Sequence, residues 1–356
     1  LPDDLFFDQT VPDVHQPYVA APDRYTHLGY RRVGDSGLLL PPISLGLWWN
    51  FGDNRPFDLQ REVLRFAFDQ GITHFDLANN YGPPHGAAEE NFGRVLRTDF
   101  RPYRNELIVS TKAGWPQWPG PYGDFGSAKY LRASLDESLA RLQTDYVDVF
   151  YSHRVDSSTP IEETIGALDA AVRQGKALYV GISSYSAERT ERAIAVAREL
   201  HTPLVIHQPA YSLLNRWVEH GLLDVLGRSG LGAIAFTPLA QGLLTNRCLQ
   251  QGQVHASGGR TTLSDADLTA ENLERLQRLA DVATRRGQTL AQLAIAWLLH
   301  NDRVTSVLLG ASTVQQLAEN LQAVHNTGFT EAELAEIDEI TAADAGVNIW
   351  AQSSDL

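Results

Sequence analysis

From residue 43 onward the chain alternates two hydrophobic patterns. Short runs of β-branched and aromatic residues are each followed by a longer stretch in which apolar side chains return every three or four positions, the signature of strands joined by amphipathic helices. Strands in such an alternation run parallel, because each helix returns the chain to the same end of the sheet. The runs predict strands over Ile43–Leu47, Ile72–Asp76, Leu107–Lys112, Tyr146–Ser152, Ala177–Ile182, Leu204–His207, Ala233–Thr237 and Thr305–Leu309. Helices are predicted over Leu59–Gln70, Ala87–Arg97, Ala128–Leu142, Ile161–Gln174, Ala187–Leu200 and Val314–Val324. Gly71 and Gly175 stand one residue past a helical pattern and just before a strand, the place of a left-handed helix cap. This order predicts an α/β fold, a (β/α)8 TIM barrel.

Ahead of the first strand, Tyr30–Arg32 and Leu38–Leu40 flank Gly34-Asp35-Ser36-Gly37 and read as a β-hairpin able to close the barrel floor. Two helical stretches, Ala270–Arg286 and Glu331–Ile340, exceed the eightfold count and are expected to pack outside the barrel. Thr245–Thr262, rich in Gly, Gln and Ser, reads as a long surface loop of the kind that covers a cofactor or substrate. No internal repeat interrupts the pattern, so residues 1–27 are expected to form an N-terminal extension and residues 28–356 a single domain.

Composition narrows the function. Hydrophobic residues at 43% and charged residues at 20% support a large core. A formal net charge of −14 opposes a nucleic-acid partner, which needs clustered Lys and Arg, but does not oppose an anionic cofactor held by helix N-termini and a few local cations. Cys248 is the sole cysteine, which rules out an intrachain disulfide, and no Cys/His spacing suggests a metal site. The first 28 residues carry Asp3, Asp4, Asp8 and Asp13 where a signal peptide would need basic and apolar residues. No apolar stretch of about 20 residues appears, so membrane insertion is not expected and the location is read as cytoplasmic.

In such barrels chemistry sits at the C-terminal ends of the strands. The second strand leads into Asp76 and Tyr81, the third ends in Lys112 and the fourth in Tyr151-Ser152-His153-Arg154. Taken singly, each has a structural explanation: Asp76 and Lys112 as an ion pair, His153 as a hydrogen-bonded core residue, Tyr81 as packing. Nothing structural requires all four to converge on one rim. Carbonyl reduction does, since a hydride must reach carbon and a proton oxygen. A phenol with a pKa near 10 is a poor proton partner at neutral pH. A cation about 4 Å away at an effective dielectric near 20 is worth about 4 kcal/mol, or roughly three pKa units favouring phenolate. Asp76 would hold Lys112 charged, and His153 would position the carbonyl oxygen.

With these residues stand GITHFDLANNYGPPHGAAEENFG, STKAG, DVFYSHR, GISSYS, FTPLAQGLLT, LLGASTVQQLAEN and the tail NIWAQSSD. On them the chain, from about residue 28 to its end, resembles the aldo-keto reductase superfamily, in the branch that holds bacterial L-glyceraldehyde 3-phosphate reductases and potassium-channel β subunits. The resemblance implies a catalytic tetrad of Asp76, Tyr81, Lys112 and His153, with Tyr81 as proton donor and NADPH rather than NADH as cofactor. It places Trp48 and Asp76 at the nicotinamide end, Ser183 and Gln208 on its carboxamide and Phe236 against its ring. Thr237, Leu239, Gly242 and Arg247 would follow the pyrophosphate. Gly310, Ser312, Gln316, Glu319 and Asn320 would hold the adenosine end, where Gly310-Ala311-Ser312 opens a helix suited to an anion.

Three positions depart from the pattern of the relatives: Thr313 follows Ser312 where an Arg is common, Ser184 stands where the channel subunits carry Arg, and Arg247 replaces the Lys of a Gly-Lys pair, with Arg260 near in sequence. The resemblance implies a small polar aldehyde as substrate, of the glyceraldehyde 3-phosphate or methylglyoxal type, and a homo-oligomer. Trp48, Trp49, Trp115, Trp118 and Tyr122 suggest an aromatic mouth that would suit it. Arg154 reads as a brace for Asp156 before it reads as a handle for phosphate. The alternative is a regulatory channel subunit, but His153 stands where those proteins carry Asn. A retaining glycosidase would need two rim carboxylates about 5 Å apart, and Glu89 and Glu90, one turn into a helix, are not such a pair.

Overall fold

A computed structural model describes residues 17–251, 269–342 and 347, apart from the side chains at 247, 250 and 251. A hairpin of β1 (Arg31–Arg32) and β2 (Leu39–Leu40), antiparallel with Arg31 opposite Leu40, precedes the main sheet. The sheet comprises β3 (Ile43–Gly46), β4 (His74–Asp76), β5 (Ile108–Ala113), β6 (Val147–Ser152), β7 (Ala177–Ser183), β8 (Leu204–Gln208), β9 (Gly232–Ala235) and β10 (Ser306–Leu309). All pair in parallel, and β10 pairs back with β3 to close the barrel. The (β/α)8 architecture expected from the alternation is the one observed.

Strand parity divides the apolar residues into two layers. Leu45, Phe75, Val109, Phe150 and Ile182 belong to the core shared with the surrounding helices. Val149, Tyr151, Ile206 and Ile234 form a separate interior cluster. Into its lower end the hairpin inserts Val33, Leu38 and Leu40, as expected of a floor. A one-residue slip of any strand would exchange the layers, so the barrel register is strongly specified.

The helices are α1 (Phe57–Asp69), α2 (Ala87–Thr98), α3 (Ala128–Leu142), α4 (Ile161–Arg173), α5 (Ala187–Leu200), α6 (Leu222–Ser229), α7 (Asn246–Gln251), α8 (Ala270–Arg285), α9 (Leu290–His300), α10 (Val314–Leu321) and α11 (Glu331–Thr341). Gly71 and Gly175 take the left-handed conformation expected of them, at φ 88° and 71°. Helices α8 and α11, the two beyond the eightfold count, join through the Arg278–Glu339 and Arg285–Glu336 ion pairs. Such surface pairs contribute at most about 1 kcal/mol each, and the buried Leu276, Leu279, Ile337 and Ile340 carry the packing.

Three expectations need correction. The helix predicted over Val314–Val324 ends at Leu321 and continues as a 3-10 turn over Gln322–His325. The strand predicted to reach Thr237 stops at Ala235, because Thr237 turns left-handed at φ 52°. The surface loop predicted from Thr245 begins instead with α7, whose Asn246 Oδ1 accepts from the Leu290 amide at 2.9 Å. The rest of that stretch lies outside the described residues. Before the hairpin, Tyr18 and the Ala21 amide both reach Asp69 Oδ1, at 2.6 and 2.8 Å, so this segment is tied to the end of α1.

Candidate active site

The inward parity that fills the barrel also builds its upper rim. Asp76 ends β4 opposite Ser110 of β5, and Lys112 lies two residues farther along β5, opposite Tyr151. Tyr81 enters from the turn after β4, pinned by its amide to Ala78 O at 3.0 Å, while the Asn79 amide bonds Lys112 O at 3.0 Å. His153 follows β6, its amide on Ala113 O at 2.9 Å. The structure brings all four together.

Lys112 is fully buried and spends its three protons on Asp76 Oδ2 at 2.5 Å, Leu77 O at 2.8 Å and the Tyr81 hydroxyl at 3.4 Å. An ammonium can only donate. The Tyr81 oxygen therefore accepts from Lys112, and its own proton is left for another acceptor. Asp76 is held on its other oxygen by the Ser110 hydroxyl at 2.6 Å and Gln208 Nε2 at 3.2 Å. The Tyr81 and His153 ring centroids are 5.8 Å apart.

The electrostatic balance differs from the one expected. Burial, reinforced by the Asp76 charge, lifts the Tyr81 phenol well above its ordinary value. Lys112 does not carry it toward phenolate, because its own charge is compensated by Asp76 at hydrogen-bond distance. Tyr81 is thus a neutral phenol with a proton to give. Burial pulls the Lys112 ammonium downward against the opposing pull of Asp76. Burial, then the charges of Lys112 and Arg154, push His153 well below the usual imidazole range, so it is neutral. Its Nδ1 is buried and has no hydrogen-bond partner among the described residues.

Above these groups opens a cavity of about 710 Å³. Tyr81, His153, Trp48, Trp49 and Trp115 wall one end, and Ser183, Gln208 and Phe236 form the adjoining side. Thr237, Leu239 and Gly242 line the middle, and Gly310, Ser312, Gln316, Glu319 and Asn320 the far end. Of the residues assigned to a cofactor, Asp76 is fully buried and stands behind this lining, and the Arg247 side chain falls outside the described residues. A Cβ built on Gly242 or Gly310 would meet no atom within 4 Å, so both glycines leave open space along the cavity wall. A long cleft of this kind, with a polar side near Tyr81 and a helix N-terminus at its far end, fits a nicotinamide dinucleotide.

Other expectations fare unevenly. Trp118 packs instead against Tyr130, ring centroids 5.3 Å apart, and Tyr122 is exposed beside Lys129, so the aromatic mouth comes from Trp48, Trp49 and Trp115. Arg154 is a brace, as preferred, but for Asp124 rather than Asp156, with Nη2–Oδ1 and Nη2–Oδ2 distances of 2.8 and 2.9 Å. Its Nε donates to Gly114 O at 2.6 Å, and its guanidinium lies against the Trp115 and Phe125 rings, which leaves no handle for a phosphate. Asp156 instead accepts from the Gly126, Ser158 and Thr159 amides. Glu89 is buried against Thr111 and Arg141, an anchor for the start of α2.

Sequence reasoning missed Arg55. Thr313 is occupied in capping α10, where its hydroxyl accepts from the Gln316 amide at 3.1 Å, while both the amide and hydroxyl of Ser312 bond Gln316 Oε1. The cation beside this turn is Arg55, Nη2 at 3.3 Å from Ser312 O. It lies between the first barrel strand and α1, remote in sequence from the motif it meets, so no local spacing announced it.

A closed parallel barrel with a buried Lys–Asp pair directed at a rim tyrosine beside a histidine defines a class, and residues 42–342 match the aldo/keto reductase family model. The chain belongs to the aldo/keto reductase family and is an oxidoreductase. It is 58% identical over 344 residues to an L-glyceraldehyde 3-phosphate reductase of Escherichia coli strain K12, covering 95% of this chain and 99% of the relative. It is also 36% identical over 302 residues to a probable voltage-gated potassium channel subunit beta of Oryza sativa subsp. japonica, covering 83% of this chain and 90% of that protein. The corresponding protein of Arabidopsis thaliana is 35% identical over 301 residues. Among the described residues no helix is long and apolar enough to cross a membrane, and no group of three His, Cys, Asp or Glu side chains is placed to hold a metal ion.

Proposed function

We propose that the chain reduces small polar aldehydes to alcohols with NADPH. The observation that carries this reading is the Lys112–Asp76 pair spending one proton on the Tyr81 oxygen, which leaves the Tyr81 hydroxyl free to give its own to a carbonyl in the cavity. The nicotinamide supplies a hydride to the carbonyl carbon when bound. Ser183 and Gln208 would hold its carboxamide, with Phe236 and Trp48 flanking the ring. Tyr81 delivers the proton to the carbonyl oxygen, and His153 orients that oxygen by donating a hydrogen bond from its ring. Trp48, Trp49 and Trp115 exclude water and restrict the substrate to a small one. The same reading places the protein in the cytoplasm, in keeping with its single cysteine, Cys248, which is free and buried, and the family resemblance implies a homo-oligomer.

The 58% identical relative named for L-glyceraldehyde 3-phosphate favours a three-carbon aldehyde. The enzyme is expected to give a higher kcat/KM with methylglyoxal or glyceraldehyde 3-phosphate than with a bulky aromatic ketone. A tenfold preference for the ketone, about 1.4 kcal/mol of transition-state binding, would overturn the assignment. The likeness to channel subunits is lower, and measurable turnover would set it aside as the primary role.

The cofactor choice rests on Ser312, Gln316 and Arg55, with Arg247 as a further cation by resemblance. NADPH is expected to bind more tightly than NADH by about 1 to 3 kcal/mol, the value of one or two charge-assisted hydrogen bonds. Arg55→Ala should weaken NADPH about tenfold and NADH less than twofold, read by quenching of tryptophan fluorescence. Equal affinities in the unmodified protein would refute the NADPH preference, and an unchanged NADPH affinity in Arg55→Ala would refute the role of Arg55.

A further inference from the structure

Below the rim, four polar side chains occupy the barrel interior on adjacent strands. Ser306 Oγ lies 2.7 Å from Ser44 Oγ, Ser44 Oγ 2.8 Å from His74 Nδ1, and His74 Nε2 2.9 Å from Ser110 Oγ. Ser110 Oγ in turn donates to Asp76 Oδ1 at 2.6 Å. All four side chains are buried, His74 at 1% exposure and the three serines at 0%. A buried polar chain in a site otherwise filled by Val, Ile and Tyr needs a reason, because satisfied apolar packing would serve the fold as well.

The direction of every bond follows from its upper end. The carboxylate of Asp76 can only accept, so the single proton of Ser110 is committed to it. Ser110 oxygen must then accept from His74, which places the imidazole proton on Nε2 and leaves Nδ1 as an acceptor. Ser44 therefore donates to Nδ1, and Ser306 donates to Ser44. Burial holds His74 down to about 4, so the ring is neutral and one tautomer satisfies both its neighbours.

We infer that His74 is a positioning residue for the reduction: it fixes the Ser110 hydroxyl, which with Gln208 fixes one oxygen of Asp76 and so directs the other at Lys112 and Tyr81. The inference rests on the proposed roles of Tyr81 and Lys112. Ser110 without His74 keeps its proton but loses the donor that restricts its rotation, so the carboxylate gains freedom at the point where it holds the lysine. A displacement of the Lys112 ammonium alters the acid strength of Tyr81, which is felt in the chemical step and not in substrate affinity.

The test compares His74→Leu, which fills the volume without polar atoms, with His74→Asn, whose amide offers both a donor group and an acceptor. For folded protein with NADPH and methylglyoxal, His74→Leu should lower kcat about five- to tenfold with KM within twofold, and His74→Asn should keep kcat within about twofold. Ser110→Ala should lower kcat as well, and the double variant His74→Leu with Ser110→Ala should be no slower than Ser110→Ala alone, since the two act along one path. Additive losses, or a kcat for His74→Leu equal to that of the unmodified protein, would overturn the inference. Nitrogen-15 spectra of histidine-labelled protein should show His74 protonated on Nε2, and an Nδ1-protonated ring would overturn it too. An active Lys112→Met would remove the underlying catalytic reading, whereas an inactive Lys112→Met beside a fully active His74→Leu removes only the role of His74.

Discussion

Tyr81→Phe should lower kcat by about 10² to 10⁴-fold, the range expected when a positioned proton donor is removed. The substitution deletes one oxygen and leaves the ring that faces Trp48 and His153, at centroid separations of 6.4 and 5.8 Å. Cofactor affinity should therefore hold within about twofold, because no carboxamide or phosphate contact is assigned to this hydroxyl. The loss corresponds to about 3 to 5 kcal/mol of transition-state stabilisation. Steady-state rates together with fluorescence titration of NADPH separate the two effects, and turnover within a few-fold of the unmodified enzyme would remove Tyr81 from the mechanism.

Lys112→Met should be nearly as damaging, with a different signature. Methionine fills similar volume but leaves Asp76 Oδ2 and Leu77 O without their donor in a fully buried site. Breaking one side of a buried ion pair costs about 3 to 5 kcal/mol, softened here because Ser110 and Gln208 still hold Oδ1. The melting temperature should fall, and so should kcat per folded molecule, by about 100-fold or more. The pH profile gives the decisive sign. The Asp76 charge already lifts the Tyr81 phenol, and removal of Lys112 leaves that charge uncompensated, so the pKa of Tyr81 rises further and it becomes a weaker acid. The alkaline limb of the kcat profile should then move to higher pH, or leave the accessible range. A lower melting temperature with unchanged kcat would return the pair to a purely structural role.

The barrel was legible because its strands and helices differ in period and because the order of elements permits little else. Asp76, Tyr81, Lys112 and His153 were legible for a related reason: each stands at or just beyond the end of a predicted strand, and parallel strands place all such ends on one rim. What remained hidden lies across the chain rather than along it. Arg55 meets Ser312 from 257 positions away, and Arg154 chooses Asp124, 30 positions back, over the nearer Asp156. His74 and Ser110 sit on the inward parity of their strands, but only the closed barrel shows that Ser44 and Ser306 complete their bonds. The balance on Tyr81 also escaped sequence reasoning, since a lysine's pull on a phenol depends on how tightly a third group compensates it.

The Asp76–Lys112 pair has a consequence for the history of the fold. Two opposite charges withdrawn fully from water gain little net stability from each other, and replacement of both by well-packed apolar side chains is often neutral or stabilising by about 1 to 4 kcal/mol. Heat tolerance and chemistry thus pull in opposite directions at these two positions. On the proposed mechanism, selection for durability alone would favour apolar side chains at both positions, and selection for turnover would keep the charges.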